Sequence, residues 1–460
     1  MCVQGLGFVG SAMALAVANA SDAEGRPLYN VIGVDLANDN GQARIDSINN
    51  GRTPFDSTDV DMARAMASAT KSGNLSATYD PSVYEQAEII LVSIHLDVGE
   101  DHERDVAYDD TGLRKAIRTI GANARPGALV IVETTVPPGT CATVVWPELK
   151  AAAEGRGLSE DAFMLAHSYE RVMPGPGYMD SIVNYWRVYA GGTESAADAC
   201  EAFLSSFVNV DDYPLTRVSN MTASETAKVL ENSYRAVNIA FIEEWTRFAE
   251  AAGIDLFEVV NAVRVRPTHA NIRQPGLGVG GYCLTKDPLF GEVSARKILD
   301  RPDLEFPFCR QAISINRKMP LATLRRLEEG LGGNIKGKEI LLLGVSYRSG
   351  VADTRFSPSE VFVREARARG ARLSVQDPMV KYWDEMEEEV PTQISDPGRF
   401  DAIVFAVDHE EYGNLEPETW LGRSRPVIVD ANNALTSRQV AAFSELGCSV
   451  ICTGVGVSVQ

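Results

Sequence analysis

Short apolar runs alternate along this chain with longer segments of helical pattern. Cys2, Val3 and Gln4 lead into glycines, residues 11–20 are alanine-rich and helical in pattern, and Val31-Ile32-Gly33-Val34 is a second apolar run ending at Asp35. Further apolar runs at 88–94, 128–133 and 163–166 read as strands, and the first two follow helical segments. The pattern begins again at 339–345, continues through a helix from Ser359 and a strand at 372–376 ending at Asp377, and returns at 402–407 and 427–430. Strand and helix in alternation predict parallel, doubly wound sheets. Between the two series, residues 222–252 carry neither glycine nor proline, and Thr222-Ala-Ser-Glu225 reads as a capping box, which predicts a helix of roughly 30 residues and about 45 Å. The fold class is therefore α/β: two Rossmann-like doubly wound domains joined by a central helical region with one long helix. The expected divisions are 1–195, 196–320 and 321–460.

On the long helix Tyr234, Val237, Phe241, Trp245 and Phe248 recur at spacings of three and four, an aromatic stripe that reads as core. The helix is long enough to offer a second face to a partner subunit, so a homodimer is expected. Lys228 and Asn232 stand one turn apart near its start.

Composition narrows the classes. The chain has 460 residues, is 45% hydrophobic and carries a net charge of −20, which suits a multidomain protein and opposes broad contact with nucleic acid or anionic membrane. Small-molecule partners are expected. Seven cysteines form no CxxC pair, and five histidines form no HExxH motif, so the sequence supports neither a structural disulfide nor a metal site and favours a reducing, cytoplasmic setting. No apolar run reaches the roughly 18 residues of a membrane helix, and the first residues lack the basic start and cleavage site of a signal peptide. Only Cys2, Val3 and Gln4 stand between the initial methionine and the first glycine, fewer than an ordinary strand has, which raises the expectation that the natural chain starts upstream.

Candidate chemistry falls at strand ends. Gly5-x-Gly7-x-x-Gly10, set between an apolar strand and a helix and followed by Asp35 at the end of the next strand, is a dinucleotide fingerprint. Gly5, Gly7, Phe8, Val9 and Gly10 would cradle pyrophosphate, while Asp35 would accept the ribose hydroxyls and repel a 2′-phosphate, favouring NAD over NADP. Residues 133–140, ETTVPPGT, place threonines where a strand runs out, and 167–175, HSYERVMPG, put Glu170 and Arg171 in a similar position. Residues 276–288, GLGVGGYCLTKDP, set a single cysteine, Cys283, in a loop whose glycines let a ligand approach the backbone. An ammonium and an amide from Lys228 and Asn232 could stabilise an oxyanion on a Cys283 adduct if that loop meets the helix. Arg264, Arg266 and Arg273 form a basic stretch in an acidic chain, and Arg348 and Arg355 follow the first strand of the last domain, where an anion is expected.

Taken together, GLGFVG with Asp35, ETTVPPGT, YERVMPG, Lys228-x-x-x-Asn232, GLGVGGYCLTKDP and VADTRFSP resemble the UDP-glucose/GDP-mannose dehydrogenase family, in its order and over nearly the whole chain. The resemblance implies an NAD domain, a central helical dimerisation region and a nucleotide-sugar domain, in an enzyme of polysaccharide biosynthesis that oxidises the C6 alcohol of a nucleotide sugar to a carboxylate with two NAD⁺. It implies that Cys283 is the nucleophile that forms a thiohemiacetal and then a thioester, and that Lys228 and Asn232 stabilise the oxyanion. Asp287 becomes an orienting or basic residue, and Glu170 with Thr135 positions the hydrolytic water. Thr135 also borders the cofactor. Glu170, Arg171, Lys228, Asn232, Arg273, Gly280, Gly281, Tyr282, Arg348 and Arg355 resemble the substrate contacts. YERVMPG is closer to the PERV-x-PG pattern of the UDP-N-acetylhexosamine branch than to the PEFL-x-EG pattern of UDP-glucose enzymes, so UDP-ManNAc or UDP-GlcNAc is the first expectation, with UDP-glucose or GDP-mannose as alternatives. Tyr169 stands where that branch usually has proline, Ser93-Ile94-His95 where Pro-Thr-Pro is common, and Arg348 where lysine is frequent. A two-electron 3-hydroxyacid dehydrogenase would share the NAD domain and long helix without needing Cys283. A non-catalytic NAD- or nucleotide-sugar-binding protein would keep the glycines and arginines without needing Cys283, Lys228, Asn232 and Asp287.

Overall fold

The computed structural model describes residues 1–99, 107–172, 174–393 and 396–456. Met173, within the 167–175 segment, lies outside them. The chain divides into two compact units, Met1–Glu231 with Leu289–Phe306, and Asn232–Pro288 with Pro307–Gln460.

The first unit is built on an eight-stranded sheet among the described residues: β1 (Cys2–Gln4), β2 (Val31–Val34), β3 (Leu75–Thr78), β4 (Ile89–Val92), β5 (Leu129–Val132), β6 (Met164–Tyr169), β7 (Val188–Gly191) and β8 (Thr216–Arg217), in the order β8-β7-β6-β5-β4-β1-β2-β3. All neighbours run parallel except β6 and β7. β1 is central, paired on one side with β2 and on the other with β4. Alternate residues of these strands feed two apolar clusters, Val3, Leu91, Ile131 and Ala166 on one face and Cys2, Ile90, Val130 and Leu165 on the other. Burial on both faces is why the strands read as continuous apolar runs rather than as alternating ones. The order reverses between β1 and β4, and the helix Phe8–Ala18 begins beside that reversal, where open α/β sheets bind ligands.

The second unit holds a five-stranded parallel sheet among the described residues: β9 (Glu339–Leu343), β10 (Arg372–Gln376), β11 (Ala402–Phe405), β12 (Val427–Asp430) and β13 (Val450–Cys452), ordered β10-β9-β11-β12-β13. Its order reverses between β9 and β11. The α/β class with two doubly wound sheets is as the pattern predicts; β3, β7, β8 and β13 are additions.

The long helix spans Met221–Ala252, and two expectations about it need correction. Thr222 and Glu225 form no capping box. Asn220 Oδ1 accepts from the Ala223 amide at 2.9 Å, and the Glu225 carboxylate turns to the amides of Gly139 and Cys141, at 2.6 and 2.7 Å. Those two buried donors need an acceptor and the side chain of Glu225 reaches both. The aromatic stripe is not core either. Tyr234, Phe241, Trp245 and Phe248 are each close to half exposed, and the last three touch one another edge-on. The helix buries its small residues, Ala236, Ala240 and Ala249, instead.

Candidate active site

At the end of β1 the glycines make a close turn into the first helix. A Cβ on Gly10 would fall on the carbonyl oxygen of Gly5, so only glycine lets the first helix close onto the turn. Gly7 opens the helix with no side chain capping its amides, Phe8 stacks on Phe55 at 4.6 Å between centroids, and Val9 is half-buried. His95, at the exit of β4, brings Nε2 to 3.4 Å from a Cβ built on Gly7. Asp35 is buried; its Oδ2 accepts from the Leu6 amide at 3.0 Å and pairs with Arg44 at 3.3 Å. These residues fit a dinucleotide: a helix N-terminus without a side-chain cap, room made by missing side chains, and a carboxylate beside them.

At the ends of β5 and β6 a second group gathers. Thr134, rather than Thr135, ties β5 to β4, its Oγ1 accepting from the Ile94 amide and donating to the Ile94 carbonyl, both at 2.9 Å. Thr135 is half-buried beside it. Glu170 is buried and fixed by the Val172 amide at 2.6 Å. The Lys228 ammonium, reaching from the long helix, donates to the Glu170 carbonyl at 2.7 Å, sits 3.6 Å from Glu170 Oε1 and lies 5.3 Å from the centre of the Tyr169 ring. Arg171 is committed locally, to Glu231 at 2.8 Å and the Trp186 carbonyl at 2.7 Å. Sequence reasoning overlooked His167, whose Nδ1 meets Ser224 Oγ at 2.8 Å while burial holds its ring neutral, with a pKa lowered to about 3.

In the second unit Cys283 is exposed, and the chain around it is tightly placed. Gly281 has φ +80°, and a Cβ there would meet the Tyr347 ring at 2.9 Å; its amide donates to the Arg355 carbonyl at 3.1 Å. Gly280 lies against Tyr347 in the same way, so the cysteine loop is seated on the segment that follows β9. The Asp287 amide donates back to the Cys283 carbonyl at 2.9 Å, closing a turn that buries Asp287 completely. Its carboxylate receives Asn232 Nδ2 at 2.7 Å on one oxygen and Lys286 Nζ at 2.8 Å on the other. Asn232 and Asp287 thus meet, and the loop holding Cys283 does reach the long helix. Lys286, absent from the sequence-derived set, also lies 4.5 Å from the centre of the Tyr282 ring, and the Arg355 guanidinium lies 5.4 Å from it. Asp353 pairs with Arg355 at 2.7 Å. Tyr347 is pushed up to about 12 by burial, then by Asp353 and Cys283.

The arginines divide. Arg348 is exposed and Arg355 half-buried on the segment after β9. Arg273 is half-buried with a lowered pKa, through burial and then the nearby Arg235 and Arg264; several cations in one place suit an anionic ligand. Arg264 is spent on the Ile272 carbonyl at 2.9 Å, and Arg266 is exposed. None of the seven cysteines forms a disulfide. Among the described residues no group of three His, Cys, Asp or Glu could hold a metal ion, and no helix is long and apolar enough to cross a membrane.

Three family models match in succession: the UDP-glucose/GDP-mannose dehydrogenase family NAD binding domain over residues 1–207, its central domain over 222–318 and its UDP binding domain over 341–437. The chain belongs to the UDP-glucose/GDP-mannose dehydrogenase family. It is 31% identical over 441 residues to a UDP-N-acetyl-D-mannosamine dehydrogenase of Pyrococcus horikoshii, covering 95% of this chain and 96% of that one. It is 27% identical to an NDP-N-acetyl-D-galactosaminuronic acid dehydrogenase of Ralstonia nicotianae, covering 96% and 97%. A solved structure of UDP-D-ManNAc dehydrogenase from Pyrococcus horikoshii superposes with a TM-score of 0.80 at 28% identity, covering 99% of both chains. Membership makes this an NAD-dependent nucleotide sugar dehydrogenase, with NAD as the cofactor and a UDP-sugar as substrate. The 3-hydroxyacid dehydrogenase alternative falls away, since it accounts for neither the UDP binding domain nor the central domain.

Proposed function

We propose that this dehydrogenase oxidises the C6 alcohol of a UDP-N-acetylhexosamine, such as UDP-ManNAc or UDP-GlcNAc, to the uronate through a covalent adduct on Cys283. The observation that carries the reading is the clamp on Asp287: Asn232 and Lys286 hold a buried carboxylate four residues beyond the exposed Cys283, a degree of order that an inert loop cysteine does not need. When bound, NAD supplies the hydride acceptor for each of the two oxidations, held by Gly5, Gly7, Phe8, Val9, Gly10 and Asp35 with Thr135 at its border. Cys283 sulfur captures the intermediate aldehyde, which keeps a reactive species from escaping. Lys228 and the second amide hydrogen of Asn232 stabilise the oxygen that becomes negative in that adduct. Asp287 orients the group around the sulfur. Glu170 and Thr135 orient the water that releases the acid. Arg273, Arg348 and Arg355 take the diphosphate, with Gly280, Gly281 and Tyr282 admitting the sugar and Arg171 bordering it.

The assignment extends to organisation. Residues 1–195 serve the cofactor, 196–320 dimerisation and 321–460 the nucleotide sugar, and the protein acts in the cytoplasm as a homodimer joined through the exposed stripe of the long helix. NADH formation screened across UDP-glucose, UDP-GlcNAc, UDP-ManNAc and GDP-mannose tests the substrate, with the highest kcat/KM expected for an N-acetylhexosamine and a preference for UDP-glucose or GDP-mannose overturning it. Limiting substrate should give two NADH per sugar. Cys283→Ala should retain binding of NAD and UDP-sugar while acid formation falls by several orders of magnitude; a variant that makes acid at near wild-type rate refutes the covalent route.

A further inference from the structure

Glu133 directly follows β5 and has no role in the reaction as set out above. Its carboxylate is enclosed in the first unit: Arg187 Nη1 donates to Oε1 at 2.9 Å, with the two side chains 2% and 1% exposed. Glu133 Oε2 has no hydrogen-bond partner among the described residues, and neither has the buried Ser168 Oγ. The register brings these atoms together. Val132 lies opposite His167, so Glu133 follows opposite Ser168; Tyr169 lies opposite Val188 in the antiparallel pair, so Glu170 comes opposite Arg187. Side chains alternate along a strand, which puts Glu133, Ser168, Glu170 and Arg187 on one face and His167 and Tyr169 on the other. Buried polar atoms are rarely left bare, and strands spaced about 4.8 Å apart leave these two atoms where one internal water would bridge them.

A carboxylate is a costly choice for such a place unless its proton is used. Burial pushes Glu133 up to about 7, against the pull of Arg187, with Glu170 adding to the rise and Lys228 opposing it. Cys200 is the remaining titratable group coupled to it. The carboxyl therefore changes hands with a proton near neutral pH.

We propose that Glu133 is the proton acceptor behind Glu170 in the hydrolytic half of the reaction. The proposal rests on the preceding reading, in which Glu170 orients the attacking water. As the water oxygen bonds to the thioester carbon, the carbon–sulfur bond breaks and sulfur leaves with its electron pair. The water proton goes to Glu170, then across the Ser168 hydroxyl and the internal water to Glu133 Oε2, and is released to solvent by the same path before the next turnover. Glu133 touches no reacting atom and acts through Glu170.

Glu133→Gln keeps the shape and the contact with Arg187 but cannot accept a proton. Both hydride transfers should proceed at wild-type rate in a single turnover, while acid release slows about 10²-fold and the acyl adduct on Cys283 accumulates in the intact-mass spectrum. The rise of acid release with pH through about 7 should flatten in this variant. Ser168→Ala should slow the same step less, and Glu133→Asp should restore part of the rate. Wild-type acid release with an unchanged pH profile in Glu133→Gln overturns the proposal, as does an equal slowing of every step together with a lower melting temperature. A wild type that never forms an acyl adduct overturns the underlying reaction and the proposal with it, and is recognised before any variant is made.

Discussion

Asp35 illustrates how one side chain can hold two functions in tension. Its Oδ2 faces both the Leu6 amide and the Arg44 guanidinium, so the carboxylate that suits a ribose also neutralises the cation that would suit a 2′-phosphate. Asp35→Ala should release Arg44. The expected outcome is a loss of about tenfold or more in kcat/KM with NAD⁺ and a gain with NADP⁺, checked by steady-state kinetics with both cofactors. Asn232→Ala should lower stability by about 2 kcal/mol, measured by urea unfolding, because the fully buried Asp287 loses a side-chain donor. Local spacing made Gly5, Gly7, Gly10, Asp35 and Cys283 legible in the sequence, since each belongs to a motif whose members are neighbours in the chain. Lys286 sits inside such a motif and was still overlooked, because nothing in a Lys-Asp dipeptide says that the two side chains will pair. Glu133 and Arg187, 54 residues apart, left no signal: their pairing depends on the order of three strands.

Elements were legible where burial is two-sided and harder to place where a single side chain decides the outcome. The apolar run at 427–430 is a strand with those bounds, because a run buried on both faces has no competing period, while the edge strand at 372–376 keeps its bounds with only Val375 and Gln376 buried. The long helix was evident from its lack of glycine and proline, yet the role of Glu225 was misassigned, since a Thr-x-x-Glu spacing cannot disclose two amides waiting 84 and 86 residues away. The misassignment can be tested. A capping box loses stability when either Thr222 or Glu225 is replaced, whereas here Thr222→Ala should fall within about 0.5 kcal/mol of wild type. Glu225→Ala should cost about 3 kcal/mol by leaving the Gly139 and Cys141 amides unpaired. Chemical denaturation of the two variants distinguishes the cases.

Over the whole molecule, buried carboxyls set the response to acid. Glu133, Glu225 and Glu243 are each raised from 4.5 to about 7, in every case chiefly by burial. A raised carboxyl keeps its proton in the folded state after the unfolded chain has released it, so its contribution to stability is full below 4.5 and disappears as pH climbs through about 7. Asp377 works the other way: although burial opposes it, hydrogen bonding to His409 leads the interactions that lower it below 3.8, and its contribution is lost only under stronger acid. The melting temperature should therefore fall as pH rises from 4.5 toward about 7, as calorimetry at constant ionic strength would record. The exposed aromatic stripe bears on assembly at the same scale: light scattering at micromolar concentration should give the mass of a dimer, and a monomer throughout would remove the role assigned to Tyr234, Phe241, Trp245 and Phe248.

The long helix has one more consequence, and it is angular. Lys228 and Asn232 ride on a single uninterrupted rod, so their relative bearing is set by arithmetic: four steps of about 100° return a side chain to within about 40° of its starting direction and advance it about 6 Å. A one-residue insertion between them alters the length of the rod by only about 1.5 Å, yet it turns Asn232 about 100° away from the bearing it now has relative to Lys228 along the helix. An insertion of four residues nearly restores the bearing while displacing it one turn. Tolerance to length changes in this stretch therefore follows the winding of the helix rather than the number of residues added, and the single-residue change is the more damaging of the two.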